Sequence, residues 1–88
     1  MKFEYDTNKG RANFAKHGIS FEDARSAFAD ENRKIYPDKL HSNAEQREIC
    51  LGKVNGNILT VVFTKRKGVI RIISAGYYRK GKKLYEQS

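Results

Sequence analysis

The alternation of apolar and polar residues predicts strands in the second half of the chain. From Arg47 to Val54, Ile49 and Leu51 alternate with charged neighbours, which is typical of a strand with one buried face. Asn55-Gly56 follows directly, and this dipeptide favours a two-residue hairpin turn. The segment from Ile58 to Thr64 is therefore predicted to be the partner strand of an antiparallel hairpin.

A third strand is predicted after a basic turn. The turn is Lys65-Arg66-Lys67-Gly68, and the strand runs from Val69 to Ala75. This last segment is apolar at most positions, so we expect neighbours on both sides and a central place in the sheet. The three strands should form an antiparallel meander.

The first half of the chain predicts one strand followed by two helices. Residues 2–5 alternate polar and apolar, and Asp6 is placed to cap a helix that begins near Asn8 and stops at Gly18. Ser20 can cap a second helix that ends near Asp30. The predicted apolar side of this second helix consists of Phe21, Ala24 and Phe28.

Two weaker segments complete the prediction. Lys34-Ile35-Tyr36 favours a short strand that Pro37 stops, and residues 81–88 favour a short helix or a frayed end. The expected fold is α+β, with an N-terminal strand and a two-helix hairpin packed on a mainly antiparallel sheet of four to five strands. We expect a single domain over residues 1–88.

Composition limits the class of protein. No apolar run approaches the ~20 residues that cross a bilayer, and the first residues resemble no signal peptide, so a cytoplasmic protein without membrane contact is expected. Cys50 is the one cysteine, and we expect a buried, inert thiol. No Cys and His residues have zinc-like spacing, and we expect neither a metal nor a cofactor.

Positive charge is concentrated in the second half. Eight Lys and Arg against seven Asp and Glu give +1 for residues 1–44, whereas ten against three give +7 for residues 45–88. Such a field attracts phosphate backbones or an acidic protein. Aromatic rings beside cations can stack on bases, which makes RNA-binding candidates of Tyr77, Tyr78, Arg79 and Lys80. A solvated basic surface without a ligand is the alternative.

Arg71 lies inside an apolar strand, where an unpaired, desolvated charge is costly. It must therefore find a partner or project into a wet cleft. Arg71 and Arg66 are candidate phosphate ligands, because a guanidinium group matches two phosphate oxygens and stays charged. The alternatives are an ion pair between Arg71 and Glu45 or Glu48, and a solvated turn position for Arg66.

Candidate proton carriers and further cations are less specific. His41 titrates in the useful range and lies on a predicted loop, and Glu45 is a possible base or an ion-pair partner of Arg47. His17, at a helix end, is expected to be a terminal or packing residue. Candidate phosphate contacts, each of which could instead be solvated, are Lys9 and Lys16 on one helical face together with Arg47 and Lys65.

A set of short motifs resembles the BrnT toxins. The resemblance runs from about residue 3 to residue 75, and its specificity comes from the order and spacing of the motifs. It rests on Phe3, Asp6, Lys9, Asn13, Lys16-His17-Gly18, Ser20-Phe21, Phe28, Asp38, His41-Ser42, Glu45, Arg47, Gly52, Val61-Val62, Thr64, Arg66 and Arg71-Ile72-Ile73-Ser74-Ala75.

This resemblance implies a RelE-like fold, ribonuclease activity and a type II toxin–antitoxin pair. The implied partner is a BrnA-like antitoxin with a ribbon–helix–helix domain, in a hetero-oligomer that reaches DNA only through the antitoxin. The implied toxin cleaves RNA without a metal, by attack of the 2′-hydroxyl on the phosphate, and inhibits translation and growth.

The chain departs from the family pattern after Ala75. The resemblance implies another arginine and then an acidic residue, whereas this chain continues Gly76-Tyr77-Tyr78-Arg79. Arg79 could substitute for the absent arginine. The alternative function is a weakly active or inactive family member that serves as an antitoxin-bound corepressor or a nucleic-acid-binding protein.

Overall fold

The described residues of the computed structural model, 1–42 and 45–87 with only the backbone of His41, form an α+β fold around a five-stranded mixed sheet. The strands are β1 (Lys2–Glu4), β2 (Lys34–Pro37), β3 (Glu48–Val54), β4 (Asn57–Arg66) and β5 (Val69–Gly76). Their order in the sheet is β1-β5-β4-β3-β2. β1 pairs in parallel with β5, and the other neighbours are antiparallel.

Three helices accompany the sheet in this part of the chain. They are α1 (Thr7–His17), α2 (Phe21–Ala24), which continues as a 3₁₀ helix (Arg25–Ala29), and α3 (Arg79–Glu86). The predicted caps of the first two are present, because Asp6 accepts from the Lys9 N–H and Ser20 accepts from the Asp23 N–H, both at 3.0 Å. Gly18 ends α1 in the left-handed conformation (φ 72°).

The predicted meander of β3, β4 and β5 is confirmed, and β5 is an interior strand between β1 and β4. Asn55 and Gly56 form the first turn with φ of 53° and 82°, the left-handed pair that a tight hairpin requires. The second turn is shorter than predicted, because only Lys67 and Gly68 lie outside the strands. Arg66 is therefore the last residue of β4 and not a turn residue.

The hydrophobic core lies between the sheet and the layer of α1, α2 and the 3₁₀ helix. The predicted apolar side of the second helix is buried, at Phe21, Ala24 and Phe28. The Phe28 ring meets the Phe63 ring edge to face at 5.0 Å. Cys50 is fully buried here, and burial raises its pKa to about 12, so the thiol stays protonated as expected.

Asn13 is a buried polar residue that joins α1 to the sheet. Its amide nitrogen donates to the Ala75 carbonyl at 2.9 Å and to the Ile19 carbonyl at 3.1 Å, and its oxygen accepts from the Ala75 N–H at 3.1 Å. Phe14, the adjacent apolar residue, is exposed instead. The polar side chain therefore faces the core because it satisfies backbone groups at the end of β5.

α3 lies against the opposite face of the sheet and is tied down at its C-terminal end. The Tyr85 hydroxyl donates to the Asp30 carboxylate at 2.6 Å, and the same carboxylate accepts from the Lys53 N–H at 2.7 Å. These bonds, the Tyr85 bond first, lower the pKa of Asp30. No helix in the described ranges is long and apolar enough to span a membrane.

The replacement Asp30→Asn should make the protein less stable at neutral pH. The pKa of Asp30 is lower in the folded chain than in the unfolded chain, so its ionised form stabilises the fold above the ordinary carboxyl pKa. That stabilisation is lost as pH falls through the folded-state value. Thermal unfolding at pH 7 should separate wild type from the variant, and the gap should narrow toward pH 3. The neighbouring, exposed Glu31→Gln is the control, and an equal gap at both pH values would contradict the prediction.

Candidate functional site

Two adjacent strands, β4 and β5, place the two candidate arginines on the same side of the sheet. We call the side opposite α1 and α2 the outer face. Arg71 lies there, paired across the sheet with Glu4 on β1 and with Thr64 on β4. Arg66 is two residues beyond Thr64 on β4, opposite Val69. It is therefore a diagonal neighbour of Arg71, a relation that places Cβ atoms about 7–8 Å apart.

Each arginine of this pair has a carboxylate partner. The Arg66 Nη2 atom donates to the Glu45 Oε2 atom at 2.7 Å, and the Arg71 Nη1 atom lies 3.6 Å from the Glu4 Oε1 atom. The Arg66 side chain is 55% exposed and the Arg71 side chain is 30% exposed. The alternative prediction for Arg71, an ion pair with Glu45 or Glu48, was wrong. The parallel pairing of β5 with β1 brings Glu4 beside Arg71 instead. The contact to Glu4 is longer than a hydrogen bond, so donors of Arg71 stay accessible to an anion.

A set of hydrogen bonds holds the loop that carries Glu45 beside the sheet. The Thr64 hydroxyl donates to the Gln46 carbonyl at 2.8 Å. The next residue, Arg47, donates its N–H to the Ser42 hydroxyl oxygen at 2.9 Å. The Ser42 hydroxyl donates to the Asp38 carbonyl at 2.6 Å. Thr64 is buried and pairs with Arg71 across the sheet. Its hydrogen bond therefore holds Gln46, the neighbour of Glu45, close to the arginines.

The charges of this cluster act on one another. The hydrogen bond from Arg66 lowers the pKa of Glu45, and Arg47 and Arg71 add to the effect. The same bond raises the pKa of Arg66. The alternative in which Glu45 pairs with Arg47 on one strand face was wrong, because Glu45 precedes β3 and its hydrogen bond is to Arg66. At neutral pH Glu45 is ionised, so it can accept a proton but not supply one.

The other predicted cations lie on other elements than the arginine pair or on the other face of the sheet. Lys65 alternates with Arg66 and lies on the helix-covered face, where its Nζ atom is 4.0 Å from Glu48. Lys9 is exposed in the first turn of α1, three residues after Asp6 and close along the chain to the end of β1 that carries Glu4. Lys16 is exposed in the last turn of α1, at the opposite end of that helix.

The predicted aromatic residues lie at the far end of β5. Tyr77 and Tyr78 follow the strand, and both rings are largely exposed. Arg71 and Gly76 face Thr64 and Thr60, which are four residues apart on β4, so the tyrosines begin roughly 13 Å or more from Arg71 along the sheet. The expectation that Tyr77 or Tyr78 stacks on a base stays a prediction. Arg79 and Lys80 are exposed at the start of α3, beside the tyrosines.

The side chain of His41 lies outside the described residues, so its predicted role as proton carrier stays a prediction. His17, expected to be a helix-end or packing residue, contacts the tyrosine region: its Nε2 atom is 3.3 Å from the Tyr78 hydroxyl.

Sequence reasoning missed Glu4 and Asp6 as parts of the arginine cluster. Strand alternation puts Glu4 on one face of β1, but nothing local shows that β1 pairs with a strand more than sixty residues later. Asn57 was also missed, although it lines the same pocket as Tyr77 and Tyr78.

Comparison with known protein families gives one match over most of the chain. Residues 5–81 match the family model described as the ribonuclease toxin BrnT of type II toxin–antitoxin systems. A search of curated individual proteins gave no match. The matched range includes Arg66, Arg71 and Glu45, together with both tyrosines that follow β5.

Proposed function

The chain belongs to the BrnT family of ribonuclease toxins of type II toxin–antitoxin systems, and we propose that it is itself a metal-independent endoribonuclease. The proposed site is the outer-face cluster of Arg66, Arg71 and Glu45. The observation that carries this proposal is that two arginines from adjacent strands lie on the same face as diagonal neighbours, with side chains that are 55% and 30% exposed.

In the proposed reaction, the ribose 2′-oxygen attacks the adjacent phosphorus and the bond to the 5′-oxygen breaks. The products are a 2′,3′-cyclic phosphate and a 5′-hydroxyl. Arg66 and Arg71 contact the non-bridging oxygens, where negative charge increases in the transition state. A forked guanidinium suits this because it offers two parallel donors to one phosphate.

Two proton transfers complete the reaction. Glu45 is the candidate base, because it is ionised and already lies against Arg66. Its lowered pKa makes it a weak base until RNA displaces the Arg66 contact. The proton for the 5′-oxygen is assigned to His41. Lys9 and Arg47 are proposed to contact flanking phosphates, because Lys9 lies shortly after the end of β1 that carries Glu4 and Arg47 is two residues from Glu45.

The family implies a protein antitoxin as partner. We propose a BrnA-like ribbon–helix–helix antitoxin in a hetero-oligomer, with DNA contacted only through the antitoxin. We also propose a RelE-like arrangement of the helices and sheet, and action on RNA in the cytoplasm, where translation and growth would be inhibited.

Two observations favour a second function. Both arginines have a carboxylate within 4 Å. Gly76 also stands where the resemblance to the family implies an arginine. If the carboxylates hold the arginines too firmly for RNA to displace them, the chain is an inactive member that acts as an antitoxin-bound corepressor or nucleic-acid-binding protein.

Induced expression of the chain separates the two functions. The ribonuclease proposal predicts growth arrest together with loss of intact total RNA, and rescue by co-expression of a BrnA-like antitoxin. Culture density and RNA integrity are measured after induction. Normal growth with intact RNA, at a protein level verified by immunoblot, would rule out the ribonuclease and leave the corepressor.

A further inference from the structure

A pocket opens beyond the C-terminal end of β5, whereas the arginine pair lies near the start of that strand. Its volume is about 440 Å³, and it is lined by Asn57, Ile58, Tyr77, Tyr78, Arg79 and Lys82. The wall therefore combines two aromatic rings, two cations, one amide and one aliphatic side chain. Tyr77 and Tyr78 are 41% and 48% exposed, so part of each residue is accessible from solvent.

The Tyr78 ring is positioned by two neighbours. Its hydroxyl lies 3.3 Å from the His17 Nε2 atom, and the two rings meet edge to face at 5.7 Å. A Cβ atom at Gly76 would lie 2.9 Å from the Tyr78 Cε2 atom and 3.1 Å from the His17 Nδ1 atom. Only a residue without a side chain at position 76 leaves the ring and the imidazole their present places.

The remaining wall supplies charge and hydrogen-bonding groups. Arg79 and Lys82 are three residues apart on α3, so both cations lie on one side of the helix, next to the tyrosines. Asn57, the first residue of β4, carries an amide that can both donate and accept. Flat apolar faces beside cations and one amide match a nucleobase joined to its phosphate.

We propose that this pocket is a base-binding subsite for single-stranded RNA, in which one unpaired base stacks on Tyr77 or Tyr78 and its phosphate contacts Arg79 and Lys82. The proposal rests on the proposed ribonuclease function. His17 is a positioning residue, which acts through Tyr78.

The separation of the two sites determines the substrate class. Arg71 and Gly76 face β4 residues that are four positions apart, so Tyr77 begins roughly 13 Å or more from Arg71 along the sheet. One nucleotide cannot span that distance, so the substrate is a single strand that continues for several nucleotides from the scissile phosphate to the stacked base. Duplex RNA presents its phosphates but keeps its bases paired and stacked, so it lacks the group that this pocket recognises.

The test measures binding of a short 2′-O-methyl RNA single strand, which cannot be cleaved because its 2′-oxygen is blocked. The replacements Tyr77→Ala and Tyr78→Ala should each weaken binding, and the one that carries the stacking face should do so by roughly 5- to 150-fold. Gly76→Ala should weaken binding through displacement of the Tyr78 ring, with a normal circular dichroism spectrum. The double variant Arg79→Ala, Lys82→Ala should lower the slope of log affinity against log salt by about 0.7 per lost phosphate contact.

The controls separate this inference from the proposed catalytic site. Phe14→Ala removes an exposed aromatic ring of α1 outside the pocket and should leave binding unchanged. His17→Gln, which keeps a hydrogen-bonding group, should bind more tightly than His17→Leu. Unchanged affinity in the folded double variant Tyr77→Ala, Tyr78→Ala would overturn the subsite, as would an equal loss of binding to a duplex. A chain that binds normally but never cleaves natural RNA would overturn the catalytic proposal alone.

Discussion

The replacement Arg71→Ala is expected to abolish growth arrest and to slow RNA cleavage by at least about 100-fold. A donor directed at the charge that develops in the transition state contributes about this much or more to the rate. Arg71 is the better placed of the two cations, because its contact to Glu4 is 3.6 Å long whereas Arg66 is hydrogen-bonded to Glu45 at 2.7 Å. Culture growth after induction and initial cleavage rates with a single-stranded RNA measure the effect.

Two variants control for charge and for folding. Arg71→Lys keeps the charge but loses the fork, so it should recover part of the activity. Arg25→Ala removes an equally charged side chain from the 3₁₀ helix, where it pairs with Glu22, and should arrest growth like wild type. If Arg71→Ala still arrests growth at the wild-type protein level, Arg71 does not serve the reaction.

A second large effect is expected on stability from Gly52→Ala. A Cβ atom at position 52 would lie 2.2 Å from the Ala27 carbonyl oxygen and 2.8 Å from the Ala27 Cα atom. These are backbone atoms of the 3₁₀ helix that packs on β3, so no side-chain rotation can remove the clash. Overpacking of this kind costs about 3 kcal/mol, which corresponds to a fall in the thermal midpoint of roughly 12–24 °C for a domain of this size.

Gly10→Ala is the matched control for this prediction. A Cβ atom at Gly10 would lie 3.4 Å from the Phe21 ring, an ordinary contact. Gly10 is inside α1, where alanine is favoured over glycine by about 0.5–1 kcal/mol. Calorimetric scans should therefore show a lower midpoint for Gly52→Ala and an equal or higher one for Gly10→Ala. Equal midpoints for wild type and Gly52→Ala would contradict the close approach of the 3₁₀ helix to β3.

The elements that could be predicted from the sequence are those that local chemistry determines. Asn55-Gly56 specifies its turn, because both residues adopt positive φ readily, and Asp6, Gly18 and Ser20 mark the ends of helices. The parallel pairing of β1 with β5 could not be predicted, because it joins residues far apart in sequence. The second helix changes to 3₁₀ geometry after Ala24, and no local signal marks that change.

The candidate site was predictable in its residue types but not in its arrangement. A charged residue in an apolar strand identified Arg71 as a residue that needs a partner, and the structure supplies one in Glu4. The partner could not be identified, because it depends on the parallel pairing.

The most direct measurement is the chemistry of the cleaved ends. The purified chain is incubated with a defined single-stranded RNA in the presence of a metal chelator, and the fragments are analysed by mass spectrometry. We predict 2′,3′-cyclic phosphate and 5′-hydroxyl ends with the wild-type chain and intact RNA with Arg71→Ala. Fragments with 5′-phosphate ends, or the same cyclic product at the same rate from Arg71→Ala, would contradict the proposal that the outer-face arginines promote attack by the 2′-hydroxyl.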